Sequence, residues 1–334
     1  RVKTISDIYI NPNFDSVLEA RFIESLKKLS GVGGIPAVKL VQDVVNAKSG
    51  YVLEVGAQRY RIEVQADVGA ESGVAVWSKP DFLIWPWATA SKRRPVAVFC
   101  DGWAHHKDSI RDDALKRSAI LASGKYWVWS VTHQDVASAL NGSLDTDLES
   151  PLAAMSRHDG TNAPATVPRA QEKAFTHHAV ARLLQWLAVG PDAAGVDPAM
   201  EAMQRNAAWL GFRMIPSTAE DKSACDSQRA NWLPKLPLYI REPGPGFAPV
   251  MARPGGPVSV LGWWPMVLAK GLPSAGSWTA PGTVMLDEAS APDAETLHLA
   301  WRRWLLLFNT AQFLPGMLMA TSSGLDAHDY EQLG

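Results

Sequence analysis

Residues 80–84 read Pro80-Asp81-Phe82-Leu83-Ile84, and residues 96–106 read Val96-Ala97-Val98-Phe99-Cys100-Asp101-Gly102-Trp103-Ala104-His105-His106. Each contains a short, near-continuous apolar run, the pattern of a strand buried on both faces. Each also carries a carboxylate, Asp81 in the first and Asp101 in the second, and the second leads straight into a histidine pair. Carboxylates at the ends of neighbouring strands can hold a divalent cation against a phosphate. Between the two runs lies the basic stretch Ser91-Lys92-Arg93-Arg94.

Outward from this stretch, helical spacing of Val17, Leu18, Phe22, Leu26 and Leu29 predicts a helix over 14–29, with Asp15 or Ser16 as its N-cap. Glycines at 31, 33 and 34 then turn the chain. Val52–Val55 and Tyr60–Val64 predict a hairpin around Gly56-Ala57-Gln58. Phe82–Trp85 and Val96–Cys100 predict two more strands, 109–122 a helix, and Tyr126–Val131 a last strand closed by Thr132-His133-Gln134-Asp135. The order is helix, strands, helix, strand, which makes residues 1–137 an α/β unit with a mixed sheet flanked by helices. Residues 138–169 are polar and weakly patterned and read as a linker or mobile loop. Residues 170–334 read as an α+β accessory domain. It has helices over 170–189 and 198–212, strands over 236–240, 257–262 and 282–287, and a helix from Ser290–Asp293 to about Phe313, stopped by Pro315-Gly316. No internal repeat of fixed period is visible.

Composition narrows the classes. The chain has 334 residues, 47% of them hydrophobic and 20% charged, which fits two globular domains. Its formal charge of −2 provides no global basic field, so any nucleic-acid contact has to come from local patches. Two cysteines, Cys100 and Cys225, are too few for a disulfide framework or a cysteine zinc site, and imply a reducing, cytoplasmic setting. No apolar run is long enough to span a bilayer. Arg1 in place of a methionine is what a piece of a longer protein, or a processed chain, is expected to show. There is neither a Walker A loop nor a Gly-x-Ser-x-Gly elbow, which argues against an ATPase or a serine hydrolase.

Pro80-Asp81-Phe82 followed by Val96 to His105 resembles the PD-(D/E)xK nuclease superfamily, and within it the branch of the very-short-patch repair endonucleases. Ser16-x-x-Glu19-x-x-Phe22-x-x-x-Leu26 resembles that family's first helix, whose glutamate faces the site. Arg111-x-Asp113-x-x-x-Arg117-x-x-x-Leu121-x-x-Gly124 resembles its following helix, and the stretch from Trp127 to Val136 its last core strand. The likeness covers about residues 14–137 and implies a restriction-endonuclease-like core that hydrolyses DNA with Mg²⁺, or Mn²⁺ in its place. Two positions depart from the pattern. Phe99 occupies an acidic slot, and Asp101-Gly102 stands where a lysine is usual, a variant this branch matches with histidine. Trp301-Arg302-Arg303-Trp304 through Pro315 is similar to the C-terminal end of some large bacterial DEAD/DEAH-box helicases. That likeness implies an N-terminal helicase portion as partner, in repair or phage defence.

On this reading the site residues are Asp81 and Asp101 as metal ligands and catalytic carboxylates, Glu19 approaching from the first helix, and His105 as acid, base or outer-sphere donor. Lys92, Arg93, Arg94, Lys107 and Arg111 are the candidate DNA contacts. Plainer readings exist for each: Asp81 after proline as a turn residue, Asp101-Gly102 as a strand-ending turn, Glu19 as a solvated helix residue, and Lys92–Arg94 as a solvated loop. A nuclease-fold module that binds DNA or docks a neighbouring domain without cutting is the alternative.

Overall fold

In the computed structural model, the structure describes residues 14–88, 91–148, 175–191, 197–212, 219–255, 257–265 and 280–333. Helix α1 (Val17–Lys28) leads into a meander of β1 (Val38–Val45), β2 (Lys48–Val55), β3 (Gln58–Val64), β4 (Phe82–Pro86) and β5 (Val96–Asp101). The one-turn helix α2 (Trp103–His106) and helix α3 (Ile110–Ala122) cross over to β6 (Trp127–Thr132), and α4 (His133–Leu140) follows. The six strands form one sheet in sequential order, antiparallel from β1 to β5, with β6 parallel to β5.

The second half contains α5 (Ala179–Leu187), α6 (Pro198–Phe212), α7 (Ala219–Trp232), α8 (Leu238–Arg241), β7 (Phe247–Gly255), β8 (Val258–Pro265), β9 (Gly282–Leu286), α9 (Ala294–Ala311), β10 (Met317–Thr321) and α10 (Ser322–Asp326). Its four strands run in the order β10-β9-β8-β7, with β9 and β10 parallel and the rest antiparallel. The fold is therefore mixed α/β. Among the described residues no helix is long and apolar enough to cross a membrane.

The helices form where sequence and caps agree. Ser16 accepts the Glu19 N–H at the start of α1, and Phe22, Ile23 and Leu26 bury its inner face. Thr132 and Asp135 form a reciprocal capping box on α4. The hairpin joining β1 and β2 turns on Asn46 and Ala47, both at positive φ (51° and 61°), as a two-residue loop requires.

The two sheets end alike. β3-β4-β5-α3-β6-α4 and β7-β8-β9-α9-β10-α10 share one pairing pattern, two antiparallel steps and then a parallel crossover. Each crossover helix also seals the other sheet's last strand. From α9, Asn309 Oδ1 accepts the Ser130 N–H at 2.9 Å and its Nδ2 donates to the Ser130 carbonyl at 2.8 Å. One turn on, Gln312 Oε1 accepts the Val128 N–H at 2.9 Å and its Nε2 donates to the Val128 carbonyl. From α3, Ser118 Oγ donates to the Met319 carbonyl of β10 at 2.6 Å and accepts its N–H at 2.9 Å. Unpaired strand edges invite aggregation, and side-chain amides on β6 and a hydroxyl on β10 take the place of a further strand. A single apolar core runs through both halves. α5 lies beneath the first sheet, where Tyr60 donates to the Leu187 carbonyl at 2.7 Å and Trp129 to that of Ala179 at 3.0 Å.

Some sequence expectations change. Residues 236–240, read as a strand, form a helical turn, because Pro237 starts α8 as its N-cap. The described part of the 138–169 segment is pinned: His178 bonds the Ser143 carbonyl at 2.8 Å, and Asp147 pairs with Arg302. The remainder, 149–169, and the first five residues of the 170–189 helix lie outside the described residues. β1, α7, β7 and β10 were not anticipated.

Candidate active site

β4 and β5 are antiparallel, with Phe82 opposite Val98, so the start of β4 and the end of β5 lie at one edge of the sheet. Asp81 and Asp101 therefore come to the same end, as the sequence implied. An open cleft of about 910 Å³ lies there, lined among others by Glu19, Asp81, Trp103 and His105.

Asp81 is fixed by two donors. The Cys100 N–H reaches its Oδ2 at 2.6 Å and Gln65 Nε2 its Oδ1 at 3.2 Å. The same Gln65 nitrogen donates to Glu19 Oε2 at 2.8 Å. One amide thus gathers two carboxylates from different elements. Gln65 sits just past β3 with φ of 52°, a left-handed conformation uncommon for a side-chain-bearing residue, and its N–H donates to the Asp81 carbonyl at 2.9 Å. Glu19 is only 2% exposed and also accepts the Asp15 N–H at 3.2 Å. Burial pushes Asp81 up to about 7, opposed by the Cys100 N–H and reinforced by the negative charges of Glu19 and Asp101. A cation would relieve that accumulation.

Asp101 lies deeper, 1% exposed, with Arg117 bonded to its Oδ1 from α3. Burial raises its pKa, and the charges of Arg117 and His106 oppose the rise. Its Oδ2 is buried with no hydrogen-bond partner. His106 Nδ1 is 2.7 Å from Asp113 Oδ2 and 3.6 Å from Asp101 Oδ1. Burial pulls the His106 pKa down, but the Asp113 hydrogen bond and the Asp101 charge outweigh it, so the imidazole is raised. Asp113 is lowered: burial pushes its carboxyl up, and the His106 hydrogen bond and Arg117 charge more than offset that. These four side chains form one ionic group, with His106 and Asp113 on the cleft wall and Asp101 and Arg117 buried beneath them.

His105 is exposed at the cleft, its ring over Gly102. Lys79, paired with Asp15 at 3.0 Å, and Lys116, paired with Asp112 at 2.5 Å, also line it, and neither was anticipated. The proposed DNA contacts lie elsewhere. Lys92, Arg93 and Arg94 precede β5 and so sit at the opposite sheet end. Arg93 is committed to Asp197 through two bonds of 2.6 and 2.8 Å and to Tyr60 at 2.7 Å. Arg111 binds Asp329 twice, at 2.6 and 2.8 Å. Lys107 is exposed and does not line the cleft.

Among the described residues no three His, Cys, Asp or Glu side chains are grouped to hold a metal ion. Two carboxylates are, through Gln65, and Mg²⁺ is commonly held by one or two carboxylates, waters and substrate phosphate. Of the carboxylates lining the cleft, Glu19 and Asp81 share one donor and have the chemistry that such an ion takes. Asp101 offers it only the unpartnered Oδ2. No family model, curated protein or solved structure matches the chain.

Proposed function

We propose that this chain is a Mg²⁺-dependent DNA endonuclease module on a restriction-endonuclease-like core, with Asp81 and Glu19 as the carboxylates offered to the ion. The observation that carries this reading is the convergence of both on the side-chain amide of Gln65, whose backbone is left-handed, at an open cleft that His105 also lines. A bound Mg²⁺ supplies a polarised phosphoryl group and an acidified water. The chain's own residues do the rest. Asp81 and Glu19 hold the ion, Gln65 fixes their separation, and His105 at the cleft exchanges a proton with water or leaving group. Lys116 and Lys79 hold the phosphate from the cleft wall. The His106–Asp113–Asp101–Arg117 group anchors α2, so that His105 is presented from a fixed turn.

The proposal extends to a larger DNA-processing protein with an N-terminal helicase portion, acting in repair or defence in the bacterial cytoplasm. Its support is the sequence likeness of residues 301–315 alone, since packing of α9 on both sheets already accounts for Trp301, Trp304 and Phe308. One observation favours a second reading, a non-cutting module that binds DNA or docks a domain: Arg117 neutralises Asp101 from within the fold. Incubation with supercoiled plasmid separates the two. Nicking that needs Mg²⁺ or Mn²⁺ and disappears in Asp81→Ala supports the nuclease. Equal nicking by both proteins, or none by either with both metals, supports the second.

A further inference from the structure

The basic loop that does not reach the cleft opens on a pocket of its own. It lies at the other end of the β5–β6 pair, about 17 Å from Asp101 along β5 at 3.3 Å per residue. This cavity of about 810 Å³ is lined among others by Lys92, Arg94, Trp127, Gln204, Tyr239 and Phe313, a size typical of small-molecule sites. Its charges are unbalanced. Arg93 and Asp197, which also line it, satisfy each other. Lys92 and Arg94 have no carboxylate partner among the described residues, and the Arg94 guanidinium lies 4.8 Å over the Trp127 ring. That stacking orients the fork without using its N–H groups. Trp127 is 8% exposed, and its indole N–H is buried with no partner. Gln204 contributes the complementary orphan, a buried Oε1 acceptor with no donor. Two cations and an unpartnered N–H on one lining ask for an anion; an unpartnered acceptor on the lining that Phe313 and Tyr239 share asks for an N–H on a flat apolar body.

We propose that this pocket binds a nucleoside phosphate bearing an amino-substituted base. The phosphate sits on Arg94 and Lys92, and the base lies among the apolar walls with its amino group on Gln204. A free nucleotide and the 5′-phosphorylated end of a DNA strand share this chemistry. The site is separate from the cleft and does not depend on the nuclease reading.

Isothermal titration of the full chain with adenosine monophosphate, without added metal, tests it. Saturable binding is expected. It should weaken about tenfold or more in Arg94→Ala, where a charge-assisted pair is lost, and comparably for adenosine lacking its phosphate. Gln204→Leu should weaken the nucleotide but not inorganic phosphate, a readout that unfolding would not give. Asp81→Asn should bind as wild type does, so this result and the cleavage result stand or fall separately. Tighter binding of a 5′-phosphorylated oligonucleotide than of the mononucleotide identifies a strand end as the source; the reverse identifies the free nucleotide. The proposal is overturned if neither probe binds with Kd below about 1 mM, if Arg94→Ala binds equally well, or if inorganic phosphate binds as tightly as the nucleotide.

Discussion

Replacing Asp81 with asparagine should make the metal-free protein more stable at alkaline pH and leave it unchanged in acid. A carboxyl raised from 3.8 to about 7 costs the folded state about 4 kcal/mol once it is ionised, at 1.36 kcal/mol per pH unit. Water in the cleft screens part of this, and the new amide has to share Gln65, so about 2 kcal/mol is the expected gain. Below pH 4 the group is neutral in both the folded and unfolded chain and costs nothing. As pH rises, the unfolded chain loses this proton near 4 and the folded chain only near 7. Over that window the folded state binds more protons, and stability falls with rising pH. Urea denaturation at pH 4.5, 6 and 8 reads the difference directly. The two proteins should be closest at the lowest pH and differ most at the highest. Mg²⁺ should restore wild-type stability at pH 8 and leave the variant unmoved, because a ligand stabilises only the state that binds it. Parallel stability curves for the two proteins would mean that Asp81 carries no raised pKa in the folded chain.

Arg117→Met strands the buried Asp101 carboxylate and should cost about 3–5 kcal/mol in chemical denaturation; adding Asp101→Asn should return part of that loss. Asn309→Leu removes both edge bonds to Ser130 and should cost about 1–3 kcal/mol for each orphaned backbone group. Hydrogen exchange at the Ser130 amide should accelerate along with it, and an unchanged rate would mean that α9 does not protect β6.

The first sheet was legible because its strands are short apolar runs bounded by turn residues. α1 announced itself through Phe22 and Leu26 at helical spacing. β1 was missed because it is an edge strand: Lys39, Gln42 and Asp43 break its alternation, and Val41 and Val44 are 48% and 71% exposed. The matching ends of the two sheets left no sequence repeat, since they share pairing and crossover while their residues differ. At the site, Asp81 and Asp101 could be placed together from strand direction alone. The same reasoning sends Lys92–Arg94 away from them, since a loop between antiparallel strands lies opposite the strands' outer ends, and charge alone does not show this. Arg117 was visible as a motif position but not as the partner that occupies Asp101. Gln65 carried no signal at all: its role comes from a left-handed φ of 52° just past β3, which turns its amide between Glu19 and Asp81.

The proposed cleavage rests on Glu19 and Asp81 together holding a divalent cation. Electron paramagnetic resonance of Mn²⁺ titrated into the protein at pH 8 tests it without knowledge of the DNA target. One ion bound per chain is expected, displaced by Mg²⁺, retained in Lys116→Ala and lost in the Glu19→Gln, Asp81→Asn double variant. No bound ion in the wild-type protein, or the same binding in the double variant, would contradict it.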